Sequence, residues 1–116
     1  MKPTVSQPNR LVIVIPSQLS KDQVASLKIQ AVNNNGEVMK TRQDLIEFTI
    51  LSLENSSIGL KGESGVVWSQ QLSIRLERGV AEILIKGNGV ETVTLTAKQL
   101  EGETPLAQGI SLVNIE

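Results

Sequence analysis

Between Leu72 and Ala97 the chain alternates apolar and polar residues with a period of two, and no other feature constrains its fold as much. Ala81, Ile83 and Ile85 occupy every second position, with Glu82 and Lys86 in the other phase. Further on, Val93, Leu95 and Ala97 alternate with Thr92, Thr94 and Thr96. Such a period places one face of a pleated strand in a core and the other in water. Gly87-Asn88-Gly89 separates the two runs, and these residue types accept the positive φ angles of tight turns. The segment therefore predicts an antiparallel β-hairpin.

The same alternation recurs elsewhere. Ile46, Phe48 and Ile50 flank Glu47 and Thr49, and Leu72, Ile74 and Leu76 flank Ser73 and Arg75 before a turn at Arg78-Gly79. Leu11 to Ile15 is apolar in both phases and stops at Pro16, which predicts a first strand that is covered on both sides or changes sheets midway. Residues 20–32 carry two signals. Ser20 and Gln23 have the spacing of a helix-capping box, yet Ala25, Leu27, Ile29 and Ala31 alternate with Ser26, Lys28 and Gln30, and the alternation favours a strand. Asn33-Asn34-Asn35-Gly36 reads as a turn. Within the Gly- and Ser-rich loop 54–65, Ile58-Gly59-Leu60 reads as a short edge strand, and after the loop Val66-Val67-Trp68 reads as a further short strand. A further loop covers 101–105, and Ile110 to Ile115 closes the domain. The expected architecture is all-β, an antiparallel β-sandwich of seven to nine strands over residues 10–116, after a flexible lead-in at 1–9. Ala25, Leu27, Ile29, Phe48, Ile50, Ile74, Ala81, Ile83, Val93 and Leu95 are the expected core.

Composition narrows the function classes. The chain has 116 residues, 11 basic and 12 acidic, with no basic stripe of the kind that phosphate contacts require, so no nucleic-acid partner is expected. No apolar run approaches the length of a membrane-spanning helix, and no membrane insertion is expected. Only 2% of residues are aromatic, Phe48 and Trp68, so the core must be aliphatic. Cysteine and histidine are absent, which removes disulfides, thiolate and imidazole metal ligands and the commonest general base.

Three segments carry a family likeness. Ala31-Val32-Asn33-Asn34-Asn35-Gly36-Glu37-Val38 is similar to a strand followed by an Asp/Asn-x-x-Gly turn, although Asn stands where Asp often opens that turn. Ile46-Glu47-Phe48-Thr49-Ile50 and Arg78-Gly79-Val80-Ala81-Glu82-Ile83-Leu84-Ile85, the latter followed by Val93 to Ala97, complete the pattern in order. In this combination the chain resembles the bacterial immunoglobulin-like modules of invasin and intimin, and equally the immunoglobulin-like C-terminal domains of β-galactosidase-type glycosidases. The resemblance implies an immunoglobulin-like sandwich, extracellular or at the cell surface, that spaces or docks without catalysis. It transfers no functional residues.

The residues themselves offer little chemistry. The carboxylates are dispersed, and nothing in their spacing singles out an acid–base pair. Asp22 and Asp44, the only aspartates, are too far apart in sequence to suggest a calcium loop, and no metal or cofactor is expected. No serine has a Ser-x-x-Lys or histidine partner. Asn55-Ser56-Ser57 fits a glycosylation sequon. The expected function is a non-enzymatic structural or adhesive module of a larger protein. The alternative is an accessory domain of a carbohydrate-active enzyme that touches polysaccharide. Partners on either reading are a protein or polysaccharide surface or neighbouring domains of the same chain. Trp68, Ile58 and Lys61 are the candidate contacts, because loops and sheet edges remain free where strands spend their alternation on the core.

Overall fold

The computed structural model describes residues 9–61, 66–102 and 104–116; the lead-in up to residue 8, loop residues 62–65 and Glu103 lie outside the described residues. Among the described residues there are nine strands and no helix: β1 (Arg10–Val14), β2 (Gln18–Leu19), β3 (Val24–Val32), β4 (Leu45–Leu51), β5 (Ser57–Leu60), β6 (Gln71–Arg75), β7 (Val80–Lys86), β8 (Glu91–Glu101) and β9 (Gly109–Ile115). They form two sheets, a first in the order β1-β3-β7-β5 and a second in the order β2-β9-β8-β4-β6. All pairings are antiparallel except β2 with β9.

The core lies between the sheets, where the period of two places it. Leu27, Ile29 and Ala31 of β3 and Ala81, Ile83 and Ile85 of β7 meet Ile46, Phe48 and Ile50 of β4 and Val93, Leu95 and Ala97 of β8, with Ala25 and Ile74 packed at the margin. Phe48 is the largest fully buried side chain. It sits on the strand where immunoglobulin domains carry their buried tryptophan. The first strand does change sheets: β1 belongs to the first sheet, Pro16 interrupts the ladder, and β2 joins the second beside β9.

Residues 24–32 form a strand, so the alternation prevails over the capping signal. The box-like hydrogen bond nevertheless exists, with the Ser20 amide donating to Gln23 Oε1 at 2.9 Å. It closes a turn and not a helix, because Asp22 takes a φ of 68°.

Two expectations need correction. Gly87-Asn88-Gly89 does not join a hairpin. β7 pairs with β3 and β5, whereas β8 pairs with β4 and β9, so the segment carries the chain from one sheet to the other. Neither glycine has a positive φ. They are small because a Cβ at Gly87 would lie 2.7 Å from Ile115 Cγ2, and one at Gly89 2.6 Å from Glu54 Cγ. Period and turn composition cannot distinguish a hairpin from an arch between sheets, since both bury the same phase. The tight turn is at Arg78-Gly79, with φ values of 51° and 78° and reciprocal backbone bonds between Glu77 and Val80 of 2.9 and 3.0 Å. This is the two-residue primed geometry. The second correction is that Val66-Val67-Trp68 is not a strand; pairing begins at Ser69, which bridges Ile58.

Candidate functional site

Polar chemistry concentrates at the two ends of β8. At its start, Glu91 accepts from Ser52 Oγ (2.6 Å), Ser56 Oγ (2.7 Å) and the amides of Leu53 (2.8 Å) and Glu54 (3.4 Å). Ser56, fully buried, also accepts from the Asn88 amide at 3.0 Å. One carboxylate thus ties the β4–β5 loop to the arch between β7 and β8. Partial burial pushes this carboxyl up, but the bonds from Ser52, Ser56, Leu53 and Glu54 outweigh it and hold it below the ordinary glutamate value. Glu91→Ala should cost about 1.5–3 kcal/mol in urea unfolding, the range for hydrogen bonds to a charged group, because the Ser56 hydroxyl stays buried without its acceptor. Glu91→Gln retains one acceptor oxygen and should cost less.

At the other end of β8, Asp44 is held by Arg42, whose Nε and Nη2 donate to its two oxygens at 2.7 and 2.8 Å. Gln99 Nε2 donates to Asp44 Oδ2 (2.7 Å) and to the Thr104 carbonyl (2.8 Å), and Arg42 Nη2 also reaches that carbonyl at 2.7 Å. The Leu106 amide donates to Gln99 Oε1 at 3.1 Å. Backbone bonds from Leu76 to Asp44 and from Gly79 to Arg42 attach the β6–β7 turn. The Arg42 hydrogen bonds hold the Asp44 carboxyl below the ordinary aspartate value against the opposing effect of burial, and Gln99 adds to the lowering. Above this cluster opens a hollow of about 430 Å³ lined by Thr41, Gln43, Arg75, Glu101 and Gly102 as well as the pair. Arg75 donates to the Gln43 carbonyl at 2.9 Å and stands 3.8 Å from Glu101.

Chemically, both clusters are fastenings. A general acid at neutral pH requires a carboxyl held above its ordinary value, and Asp44 and Glu91 are shifted the other way. Gln99, which touches Asp44, lies eight residues along β8 from Glu91, about 26 Å at strand rise. Paired glycosidase carboxylates stand about 5–9.5 Å apart. Among the described residues no three His, Cys, Asp or Glu side chains converge as a metal site would require.

The three expected contact residues separate. Ile58 is 0% exposed, on the inward phase of β5, and is corrected to a core residue. The alternation in Ser57-Ile58-Gly59-Leu60 is too short to show which side is buried. Lys61 is exposed and pairs with Glu82 of β7 at 2.8 Å, and Ser26 also donates to that carboxylate. Trp68 is half-buried, outside the main core. Its Cε3 lies 3.4 Å from where a Cβ on Gly59 would be, so it rests over the backbone of β5. Asn55, the sequon residue, is exposed with a φ of 60°. Sequence reasoning missed Arg42, Gln99, Thr104 and Glu91. The only local signal was Arg42 two residues before Asp44 at a strand entrance.

Two face-to-face sheets, joined almost entirely by crossings from one to the other, make this an immunoglobulin-like β-sandwich. No protein-family profile matches the sequence, and no curated protein does. Solved structures do match. A glycosyl hydrolase family 2 member from Bacteroides cellulosilyticus aligns at 13% identity over 95% of this chain and 14% of its own, with a TM-score of 0.69. A β-glycosidase from Bacteroides vulgatus aligns at 15% identity over 93% of this chain and 14% of its own, with a TM-score of 0.67. Domains 4 and 5 of the S-layer protein SbsC align at 14% identity over 95% of this chain and 53% of theirs, with a TM-score of 0.60. The likeness is one of fold, and the chain spans a small fraction of either glycosidase.

Proposed function

We propose that this chain is a non-catalytic structural module, of the kind that serves as an accessory domain in a carbohydrate-active enzyme. The observation that carries the reading is the recurrence of the whole fold, over 95% and 93% of this chain, as 14% of each of two large glycosidases. The two polar clusters support it, because their charged groups hold loops at the ends of the sandwich. The specific invasin-like adhesive role has no such support beyond the sequence resemblance.

A second reading, a spacer in a secreted or surface-exposed protein, is favoured by a different observation. β1 begins beside Ala107, just before β9, and β9 ends beside β2. From Ala107 to Ile115 is eight residues, about 26 Å of strand, so the first and last strands lead to opposite ends of the sandwich. That geometry suits domains strung end to end, and the S-layer likeness agrees with it.

Purified protein should hydrolyse no glycoside and migrate unretarded through polysaccharide gels. Trp68→Ala should leave that behaviour unchanged and cost about 1–2 kcal/mol in thermal unfolding, less than a full core truncation, because the ring is half-buried. Hydrolysis abolished by a point substitution would overturn the non-catalytic reading. Saturable polysaccharide binding lost in Trp68→Ala would make the module a sugar-contacting one.

A further inference from the structure

The two outer faces of the sandwich differ. On the first sheet the exposed apolar residues Val14 and Val24 each lie beside a lysine, Lys28 and Lys86, and Glu82 neighbours Lys28, so charge interrupts that face. On the second sheet the outward positions of the central strand β8 are Thr92, Thr94, Thr96 and Lys98, and the flanking strands add apolar side chains. Leu112, Thr94 and Leu51 form one row across β9, β8 and β4; Ile110, Thr96 and Thr49 form the next. Leu51, Ile110 and Leu112 are 73%, 61% and 62% exposed. With the threonine methyls they form a continuous apolar strip. Along β8 and β4, charge on this face is confined to one side of the strip, where Lys98 and Glu47 are cross-strand neighbours. Glu47 accepts from Gln71, and Lys98 makes no ion pair among the described residues.

We propose that this face is an isologous interface with a second copy of the same chain. A two-fold axis running along the strands between β8 and β4 lays β8 of each copy over β4 of the other. Thr94 then faces Leu51 of the second copy, Thr96 faces its Thr49, and Lys98 faces its Glu47. The charge pair closes on itself in this arrangement. An axis across the strands through the Thr49–Thr96 row would instead lay β4 on β4 and β8 on β8, seating Leu51 against Glu47 and Thr94 against Lys98. Four strands about 4.8 Å apart and seven residues of about 3.3 Å rise give a face of about 19 × 23 Å. That is about 440 Å² in plan, below the roughly 800 Å² per partner of a stable interface and in the range of weak, transient association. Two such sheets stack about 10 Å apart in the aligned manner of a sandwich.

Sedimentation velocity between about 1 and 300 µM tests this, a range in which a weak dimer becomes populated. The protein should sediment as a concentration-dependent dimer. Leu51→Glu and Thr94→Arg should each raise the dissociation constant at least about tenfold while leaving the circular dichroism spectrum and melting temperature of the monomer unchanged, since both positions face outward. Glu47→Lys should weaken association by bringing two lysines together, and Glu47→Lys with Lys98→Glu should restore it. A wild-type monomer throughout the range would overturn the proposal and leave the face to a different occupant, such as a neighbouring domain. Association that survives Leu51→Glu, or that the double charge exchange does not restore, would overturn it as well.

Discussion

Replacing Arg42 by Met should destabilise the fold by about 3–5 kcal/mol, the usual cost of leaving one partner of a buried ion pair without the other. The side chains of Arg42 and Asp44 are only 12% and 3% exposed. Without the guanidinium, Asp44 retains Gln99 as its one side-chain donor, and the Thr104 carbonyl loses a bond as well. Equilibrium urea unfolding measures the loss. Arg42→Met with Asp44→Leu should recover much of it, because the buried charge is then gone from both sides. The same pair sets an acid limit. The folded-state pKa values of Asp44 and Glu91 are held below their unfolded ones, so the stability they contribute is fully present above the unfolded carboxylate range, about pH 4. It is lost as pH falls through the folded values. Unfolding free energy should therefore decline below about pH 4, less steeply in the Arg42→Met, Asp44→Leu double variant than in wild type.

Gly79→Ala should cost about 3 kcal/mol, and Gly36→Ala about 1 kcal/mol, both read as shifts in the urea midpoint. The two glycines have nearly the same φ, 78° and 82°, so the backbone penalty for a side chain in the left-handed region is common to both. They differ in surroundings. A Cβ at Gly36 meets nothing within 4 Å, whereas one at Gly79 would lie 2.4 Å from the Met39 carbonyl oxygen. That oxygen belongs to backbone packed against the turn, and it can yield only by moving the β3–β4 loop, whose Arg42 carbonyl accepts from the Gly79 amide at 3.0 Å. The difference between the two variants isolates the steric cost from the conformational one. Equal effects would show that the loop yields freely.

Several elements were legible because they depend on neighbours in sequence. The turn at Asn33 to Gly36 is one: Asn33 Oδ1 accepts from the amides of Asn35 and Glu37 at 2.9 and 3.0 Å, and such bonds span only two to four residues. The turn at Arg78-Gly79 and the break at Pro16 are others. The inward phase of β3, β4, β7 and β8 was legible as well, since a pleated strand offers only two faces and one of them is apolar. Short segments failed. Four residues at Ile58 contain too little alternation to mark a buried side, and Val66-Val67-Trp68 is β-prone without being paired.

The sequence alone determined that the chain builds strands, which side chains of each strand face inward, and where several of its turns fall, because period and turn chemistry act within a few residues. Tertiary structure alone decided which strands pair. β7 and β8 alternate as hairpin arms would, yet they part into different sheets, since burying the same phase is equally favourable in either arrangement until the other strands take their places. It alone brought Arg42, Asp44, Gln99 and Thr104 together, over as many as 62 residues of chain. And it alone set Leu51, Ile110 and Leu112 side by side, because the register between β4, β8 and β9 turns isolated outward residues into one continuous surface.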